Sequence, residues 1–400
     1  MLRHLLKLTW KRKTRNMLLS VEIMLAFVIV FAIAATGVRY WQLYHRPLGF
    51  QYQDVWAVQL QPPMDNRFAR TEGAHDLFLR ALQAMPQVED AALTNFALFQ
   101  DSSMVSRFKA PDGGRETRSN MVETNDRFWY TLGMKLAAGR WPSAQDNGAD
   151  AAPAVVNRRM AEELFPDRSP LGQLIVAESS DPKNAARFRI VGTIDDFRSH
   201  GEFMAPRPVV LFRQSSVDGN KTQMTLLVKM HPGTPRSFEL DLQRQLKQVR
   251  NDWSYTINPL AELRTSQLAE KLVPLKILAL VAVFLLAMVG FGLFGVLWQN
   301  TTRRIPEIGL RRAMGATAAG IARQIVTEQL LLSSVAMLVG LALLMQLPLT
   351  GLLGDALNWQ VFSGAAALSM GVIYLLSLLC ALYPGWRASR LHPAAALHHE

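Results

Sequence analysis

Four stretches of the chain are apolar almost without interruption, and a long segment with a different rhythm separates the first from the second. Residues 17–39, 271–298, 319–347 and 361–384 each predict a membrane span, because a helix needs roughly 20 residues to cross about 30 Å of hydrocarbon. The first is expected to be retained and not cleaved as a signal peptide. It is too long, carries Glu22 and lacks a convincing small-x-small cleavage site.

Residues 40–270 read as short strands and short helices. Asp54–Leu60 (DVWAVQL) alternates apolar and polar positions and predicts a strand. Ala74–Met85 predicts a helix, with Leu77, Phe78, Ala81 and Leu82 on one face. Asp112–Gly114 is a hairpin signal. Asn157–Phe165 predicts a short helix with Asn157 as N-cap. Phe188–Phe197 and Met224–Met230 predict strands. Thr234 is expected to cap a helix that opens on Pro235 and buries Phe238, Leu242, Leu246 and Val249. The fold expected is an α-helical membrane protein with four transmembrane helices and a large α+β extracytoplasmic domain.

Three shorter segments complete the pattern. From Leu260 a helical stalk runs into the second span, and only Pro274 interrupts it, either by kinking the helix or by opening a new one. Within residues 1–16, Leu2, Leu5, Leu6 and Thr9 share a face while Arg3, Lys7, Lys11 and Arg12 crowd the rest. This predicts an amphipathic helix on the inner leaflet; the alternative is a merely basic flank. Between the second and third spans, residues 299–318 contain RRIPEIGLRRAMGAT, Arg303–Thr317. Pro306 suits a first helical position and Glu307 suits the first turn, where the helix dipole favours an acid. Ile305, Ile308, Gly309 and Arg312 would share one face, with Leu310, Ala313 and Met314 opposite and Gly315 ending the helix. Residues 348–360 form a short outer loop and 385–400 a tail.

Charge sets the orientation. The formal net charge is +11. Residues 1–16 hold six Lys/Arg and no acid, 299–324 hold five against one Glu, and 40–270 hold 27 basic and 27 acidic residues. Short Lys/Arg-rich loops stay in the cytoplasm, so both termini and 299–318 are expected inside and 40–270 outside. The surplus concerns topology and anionic membrane lipid. Nucleic acid is not expected, since binding it calls for clustered basic and aromatic residues on one soluble module. Tyr40, Trp41 and Tyr44 suit the outer headgroup level. The single cysteine, Cys380, falls in the fourth span, where a buried thiol is packing, and leaves the outer domain without a disulfide.

Candidate chemistry is sparse. The sequence contains no Gly-Lys-Ser/Thr, His-Glu-x-x-His or Gly-x-Ser-x-Gly, and no catalytic, cofactor-binding or metal-binding residue is assigned. Glu22 and Glu328 lie in or beside spans, where pairing with Arg15 and Arg323 competes with a proton relay. Asp195 and Asp196 would point to opposite faces of a strand, which suits a strand-end turn better than shared acid–base work. His392, His398 and His399 lack neighbouring cysteine or carboxylate ligands. Gly290, Gly292 and Gly295 permit close helix approach, as a dimer seam or as internal packing.

The stretch at 303–317 resembles the signature of the FtsX/MacB-type ABC transporter permeases, the type VII class. Arg303-Arg304, Glu307-Ile308-Gly309, Leu310-Arg311 and Gly315-Ala316-Thr317 carry the likeness. The third span, with Glu328 and Gly340, is similar to the family's, as is the tail with Pro384, Arg387, Ala388, Arg390, Leu391, Pro393 and Leu397. Asn125–Arg140, Ala154–Ile175 and Phe188–Phe197 resemble the MacB-type periplasmic core, in its Leu-Gly–Gly-Arg, Asn–Leu-Phe–Pro-Leu-Gly and Val-Gly-x-x-x-Asp-Phe runs.

The resemblance implies a permease subunit in the bacterial inner membrane. The 303–317 helix would be its coupling helix, contacting an ABC ATPase subunit through Arg304, Glu307, Ile308, Gly309, Leu310, Arg311, Met314 and Gly315. A second copy or a sister permease would complete a dimer. ATP and Mg would sit on the ATPase, with no cofactor on this chain. ATP-driven closure would pass through the spans to the outer domain, an action called mechanotransmission, to export or extract a hydrophobic or peptide-like substrate. A periplasmic adaptor and an outer-membrane channel are further candidate partners. The alternative is a non-transporting transmitter that regulates an envelope enzyme; a third reading is a stand-alone receptor or enzyme. With no Walker A motif and only 16 residues before the first span, the ATPase is expected to be a separate polypeptide. The chain departs from the pattern at its end, His398-His399-Glu400, where the family more often has Tyr-Glu, and Arg312 and Met314 stand at variable positions.

Overall fold

A computed structural model describes residues 13–63, 73–111, 115–179, 185–213 and 224–389. The expected inner-leaflet helix up to residue 12, the hairpin signal at Asp112–Gly114 and the tail from Arg390 lie outside the described residues. The elements begin with α1 (Lys13–Tyr44), β1 (Val55–Gln61), α2 (Ala74–Gln83), β2 (Val88–Thr94), β3 (Met104–Lys109), β4 (Glu116–Thr124) and α3 (Phe128–Thr131). They continue with β5 (Ala138–Gly139), β6 (Ala152–Asn157), α4 (Arg158–Leu164), β7 (Leu174–Ala177), β8 (Arg187–Ile194), β9 (Val209–Arg213) and β10 (Thr225–Met230). Then come α5 (Glu239–Val249), β11 (Ser254–Pro259), α6 (Leu260–Thr302), α7 (Ile305–Ala313), α8 (Ala318–Leu344), α9 (Gln346–Thr350) and α10 (Trp359–Ser389). Two compact units result, one of residues 1–42 with 272–400 and one of residues 43–271.

Among the described residues, four helical stretches are long and apolar enough to cross a membrane: Leu19–Tyr44, Leu260–Thr302, Ala318–Thr350 and Gly354–Ala388. Each overlaps one of the four apolar stretches of the sequence. Helix α6 continues through Pro274 without a break, so that proline opens no new helix. Helices α8 and α10 share a buried polar ladder. Ser333 Oγ lies 2.7 Å from Ser377 Oγ, Ser334 Oγ lies 2.8 Å from Tyr374 OH, and Gln329 Nε2 donates to Ser333 Oγ at 3.3 Å. Each hydroxyl thereby finds a partner that hydrocarbon cannot supply. Gly340 on α8 lets α1 approach, because a Cβ there would stand 2.9 Å from Phe27 Cδ1. Gly290 accommodates Leu376 and accepts, through its carbonyl, the Cys380 thiol at 3.4 Å, while Gly292 accommodates the Glu22 carboxylate. Two of the three α6 glycines thus serve packing within this chain, whereas Gly295 faces open space.

Among the described residues the second unit holds one eleven-stranded sheet, with ten strands in the order β11-β1-β10-β2-β4-β3-β7-β8-β6-β9 and β5 paired to β8 off that path. Strand β9 also returns to pair in parallel with β4, and this closes β4, β3, β7, β8, β6 and β9 into a ring. Side chains alternate between two faces along β1, and both faces are buried, so the expected polar side is covered as well. Val55 and Ala57 face one core with Leu98, Phe128 and Trp129, while Trp56, Val58 and Leu60 face another with Phe78, Leu82, Leu242 and Leu246 from α2 and α5. A third core, Phe108, Val156, Ile175, Phe188, Ile190 and Val210 with Met160 and Leu164 of α4, accompanies the ring strands.

Two of the motifs find local reasons. Gly139 sits opposite Gly192 in the β5–β8 pairing. Gly139 has φ +82°, and a Cβ on either residue would overlap the partner strand's backbone, at the Val191 or the Arg140 carbonyl. Asn157 is fully buried and caps α4: its Oδ1 accepts from Met160 N at 3.1 Å and Val209 N at 3.0 Å, and its Nδ2 donates to Arg207 O at 2.7 Å. Thr234 does not cap as expected. Its hydroxyl donates to His231 O at 2.7 Å, and a 3₁₀ turn over Arg236–Phe238 precedes α5, with Pro235 before the turn. Strand β8 ends at Ile194, so Asp195 and Asp196 lie just past it. Asp195 bonds Arg158, and Asp196 accepts from Phe197 N at 2.9 Å.

Candidate functional site

The sequence at 303–317 folds as its residue types dictate. Pro306 sits in the first turn of α7, where its missing N–H costs nothing, and Glu307 stands at the positive end of the helix dipole. The helix ends at Ala313. Gly315 then takes φ +98°, a conformation that favours glycine, and its N–H reaches back to Arg312 O at 3.1 Å. Two residues later Thr317 caps α8 by accepting from Gly320 N at 3.1 Å. The Gly-Ala-Thr close is therefore one stop and one start, with a single residue between them.

Helix α7 has two different sides. Ile308 is buried against Ile321, Ala388, Ala316 and Ile325, and Gly309 beside it is buried too. A chain of polar contacts fastens the helix to the first turns of α8. Arg304 Nη1 donates to Glu328 Oε2 at 2.7 Å, and Gln324 Nε2 donates to Glu328 Oε1 at 2.9 Å. Arg311 Nη1 donates to Gln324 Oε1 at 2.9 Å, and Arg311 Nη2 to Glu307 Oε1 at 2.6 Å. The opposite side, Pro306, Glu307, Leu310, Ala313 and Met314, is exposed at helical spacing. Leu310 is 54% and Met314 72% exposed, a large apolar area for so short a charged helix.

Of the eight predicted contact residues, Glu307, Leu310, Met314 and Gly315 face outward, and Arg304, Ile308 and Gly309 face inward as the helix's mounting. Arg311 is shared between its own helix and Gln324. Glu328 is in an ion pair, but with Arg304 and not with Arg323. The turn at Gly315 brings position 304 beside 328, and no spacing rule along the sequence reports that. Gln324 bridges two members of this chain of contacts, Arg311 and Glu328. Its place one helical turn before Glu328 was the available signal. Near the same end of α10, the Arg387 guanidinium lies 4.5 Å over the Trp298 ring. Among the described residues no group of His, Cys, Asp and Glu is arranged to hold a metal.

Four apolar helices, a large mixed α/β domain and a short basic helix mounted between two spans define a polytopic membrane protein with an extracytoplasmic domain. Residues 18–238 match the model of the MacB-like periplasmic core domain, and residues 279–393 match that of the FtsX-like permease C-terminal region. The chain belongs to the FtsX/MacB-like family of ABC transporter permeases.

Among curated relatives, it is 26% identical over 274 residues to the "Macrolide export ATP-binding/permease protein MacB" of Bdellovibrio bacteriovorus, covering 66% of this chain and 41% of that protein. It is 25% identical over 364 residues to the "Pyoverdine export ATP-binding/permease protein PvdT" of Pseudomonas fluorescens, covering 82% and 51%. It is 23% identical over 313 residues to the "Uncharacterized ABC transporter permease YknZ" of Bacillus subtilis, covering 75% of each. The chain thus spans about half or less of the MacB and PvdT proteins. The crystal structure of the periplasmic region of MacB from Actinobacillus actinomycetemcomitans aligns with 56% of this chain and 97% of that one, at 14% identity and a TM-score of 0.40.

Proposed function

We propose that this chain is the permease subunit of an ABC system in the bacterial inner membrane, with α7 as the helix that receives the ATPase. Its residues 40–270 stand in the periplasm, and its termini and α7 in the cytoplasm. A partner ATPase holds ATP and Mg, and a second permease, identical or sister, completes the dimer. The work done is export or envelope extraction of a hydrophobic or peptide-like substrate, with an adaptor and an outer-membrane channel as candidate accessories. The relatives named for macrolide and pyoverdine export support the exporter class.

The observation that carries this reading is the division of α7. One side is fixed by Ile308 and the Arg304–Glu328 pair, and the other presents Leu310 and Met314 beside Glu307. An exposed apolar pair on a rigidly mounted helix is the arrangement by which a helix seats in a partner's groove. Contact residues would then be Glu307, Leu310, Met314 and Gly315, with Arg304, Ile308, Gly309 and Arg311 holding them in place.

The test is a mild-detergent pull-down of the tagged full chain from its native membrane, with mass spectrometry. An ATPase bearing Walker motifs should co-elute with wild type and be lost with Leu310→Asp or Glu307→Lys. An adaptor or channel alongside it selects the exporter, and an envelope hydrolase selects the transmitter. If no ATPase appears even after crosslinking in membranes, the reading fails.

A further inference from the structure

A second concentration of buried charge lies where residues 43–52 leave α1 and residues 260–271 form the start of α6. The segment Asp196–Met204, just past the end of β8, bridges the two. Arg198 is 4% exposed. Its Nη1 donates to Leu43 O at 2.9 Å and Arg46 O at 3.0 Å, and its Nη2 donates to Met204 O at 3.0 Å and to Glu202 O. Leu43 O belongs to the last turn of α1, where carbonyls lack helical partners and the dipole is negative, so a guanidinium there satisfies both needs. The Arg198 backbone N–H adds a bond to Leu48 O at 2.9 Å.

The other side of the segment meets α6. The Glu202 carboxylate, with its side chain 5% exposed, accepts from Arg264 Nε. The Arg264 guanidinium also lies 4.9 Å over the ring of Tyr52, on the stretch that leaves α1. Two glycines show how close the fit is. Gly49 has φ +87° and a Cβ there would overlap the Asp196 carbonyl, and Gly201 has φ +83° and a Cβ there would overlap Gln267 Oε1. Ser199 O accepts from Phe99 N at 2.7 Å, and Lys271 Nζ pairs with Asp101 at 2.9 Å, which ties the neighbouring loop to the same helix.

We propose that Asp196–Met204 is a latch that makes the exit of α1 and the start of α6 a single lever on the sheet, with Arg198 as its positioning residue. A shift of the α1 end breaks the two Arg198 bonds to Leu43 O and Arg46 O, and a shift of α6 breaks the Glu202–Arg264 pair, unless the segment, and through β8 the sheet, is carried along. The use of that lever in passing an ATP-driven signal rests on the permease reading; the latch itself does not. An arginine suits the role because one planar fork reaches four carbonyls, which a lysine ammonium cannot do.

The experiment is hydrogen exchange on the full chain in nanodiscs. Arg198→Gln should speed exchange of the amides of 43–50 and 197–204 roughly tenfold or more, while β1 and β10 keep wild-type protection. Arg264→Gln should do the same for 197–204 and 260–267, and Arg264→Lys should stay near wild type. Unchanged protection overturns the latch, and so does loss that extends across β1 and β10, which would make Arg198 a general support of the fold. A second arm adds the ATPase partner and ATP. Wild type should then show an ATP-dependent change at 197–204 that Arg198→Gln loses while hydrolysis continues; an identical ATP response in both overturns the lever. If wild type binds no ATPase, the permease reading falls, and the first arm still decides the latch.

Discussion

Replacing Glu328 by alanine removes the carboxylate that fastens α7 to α8. In the wild type its two oxygens accept from Arg304 at 2.7 Å and Gln324 at 2.9 Å, and the Arg304 and Glu328 side chains are 22% and 21% exposed. A hydrogen bond to a charged group contributes about 1.5–3 kcal/mol, and breaking a fully buried pair costs about 3–5 kcal/mol. Partial solvent contact screens this pair, which places the loss at about 2 kcal/mol. At about 1.4 kcal/mol per decade, the population of detached α7 rises about thirtyfold. The control is Glu307→Ala. Its partner Arg311 lies four residues on, the two side chains are 49% and 39% exposed, and such pairs contribute about 0.3–0.5 kcal/mol, or about twofold. Hydrogen exchange of the 305–316 amides in nanodiscs reads both. A change below about threefold in Glu328→Ala, or equal changes in the two variants, refutes the claim that burial separates mounting residues from contact residues.

Three further outcomes are expected. Asn157→Ala should destabilise the extracytoplasmic domain by about 4 kcal/mol, because it removes a cap and leaves Val209 N and Arg207 O unpaired; Asn157→Asp keeps both accepted bonds and should recover about half in denaturant titration. Gly139→Ala forces a left-handed residue against the Val191 carbonyl, which costs about 3 kcal/mol and lowers the melting temperature of the full chain by about 8 °C; a shift under about 2 °C would contradict the geometry. His200 is held below its ordinary 6.5, first by burial, then by Arg207 and Lys271, with Asp101 opposing. The unfolded chain therefore takes up this proton first, so the stability is intact above pH ~6.5 and declines as pH falls below it. The protection factors of the 197–204 amides, taken relative to the intrinsic rate at each pH because exchange itself slows with acid, should fall between pH 7 and 5 in wild type and not in His200→Gln.

The spans were legible because each is long and apolar, and α7 because proline, an early acid and a closing glycine mark a helix's two ends. Asn157 was legible for the same reason. Pairings that cross the chain were not. Closure of the ring brings Asn120–Thr124 beside Val209–Arg213 in parallel, and nothing local encodes that register. The partner of Glu328 depended on the turn at Gly315. Arg198 escaped notice because its partners are backbone carbonyls, which leave no trace in the identity of the residues that supply them.

Strand β1 also carries a consequence for biogenesis. It pairs with β10 on one edge and with β11 on the other, in register from Trp56 with Pro259 to Gln61 with Ser254. The first strand made is therefore enclosed by the last two. Until residue 259 has crossed the membrane, β1 waits with open edges, an invitation to wrong pairing. A chain stalled or cut before that point presents an unfinished sheet to the chaperones and proteases of its compartment, and completion of β11 certifies that translocation has reached the second span.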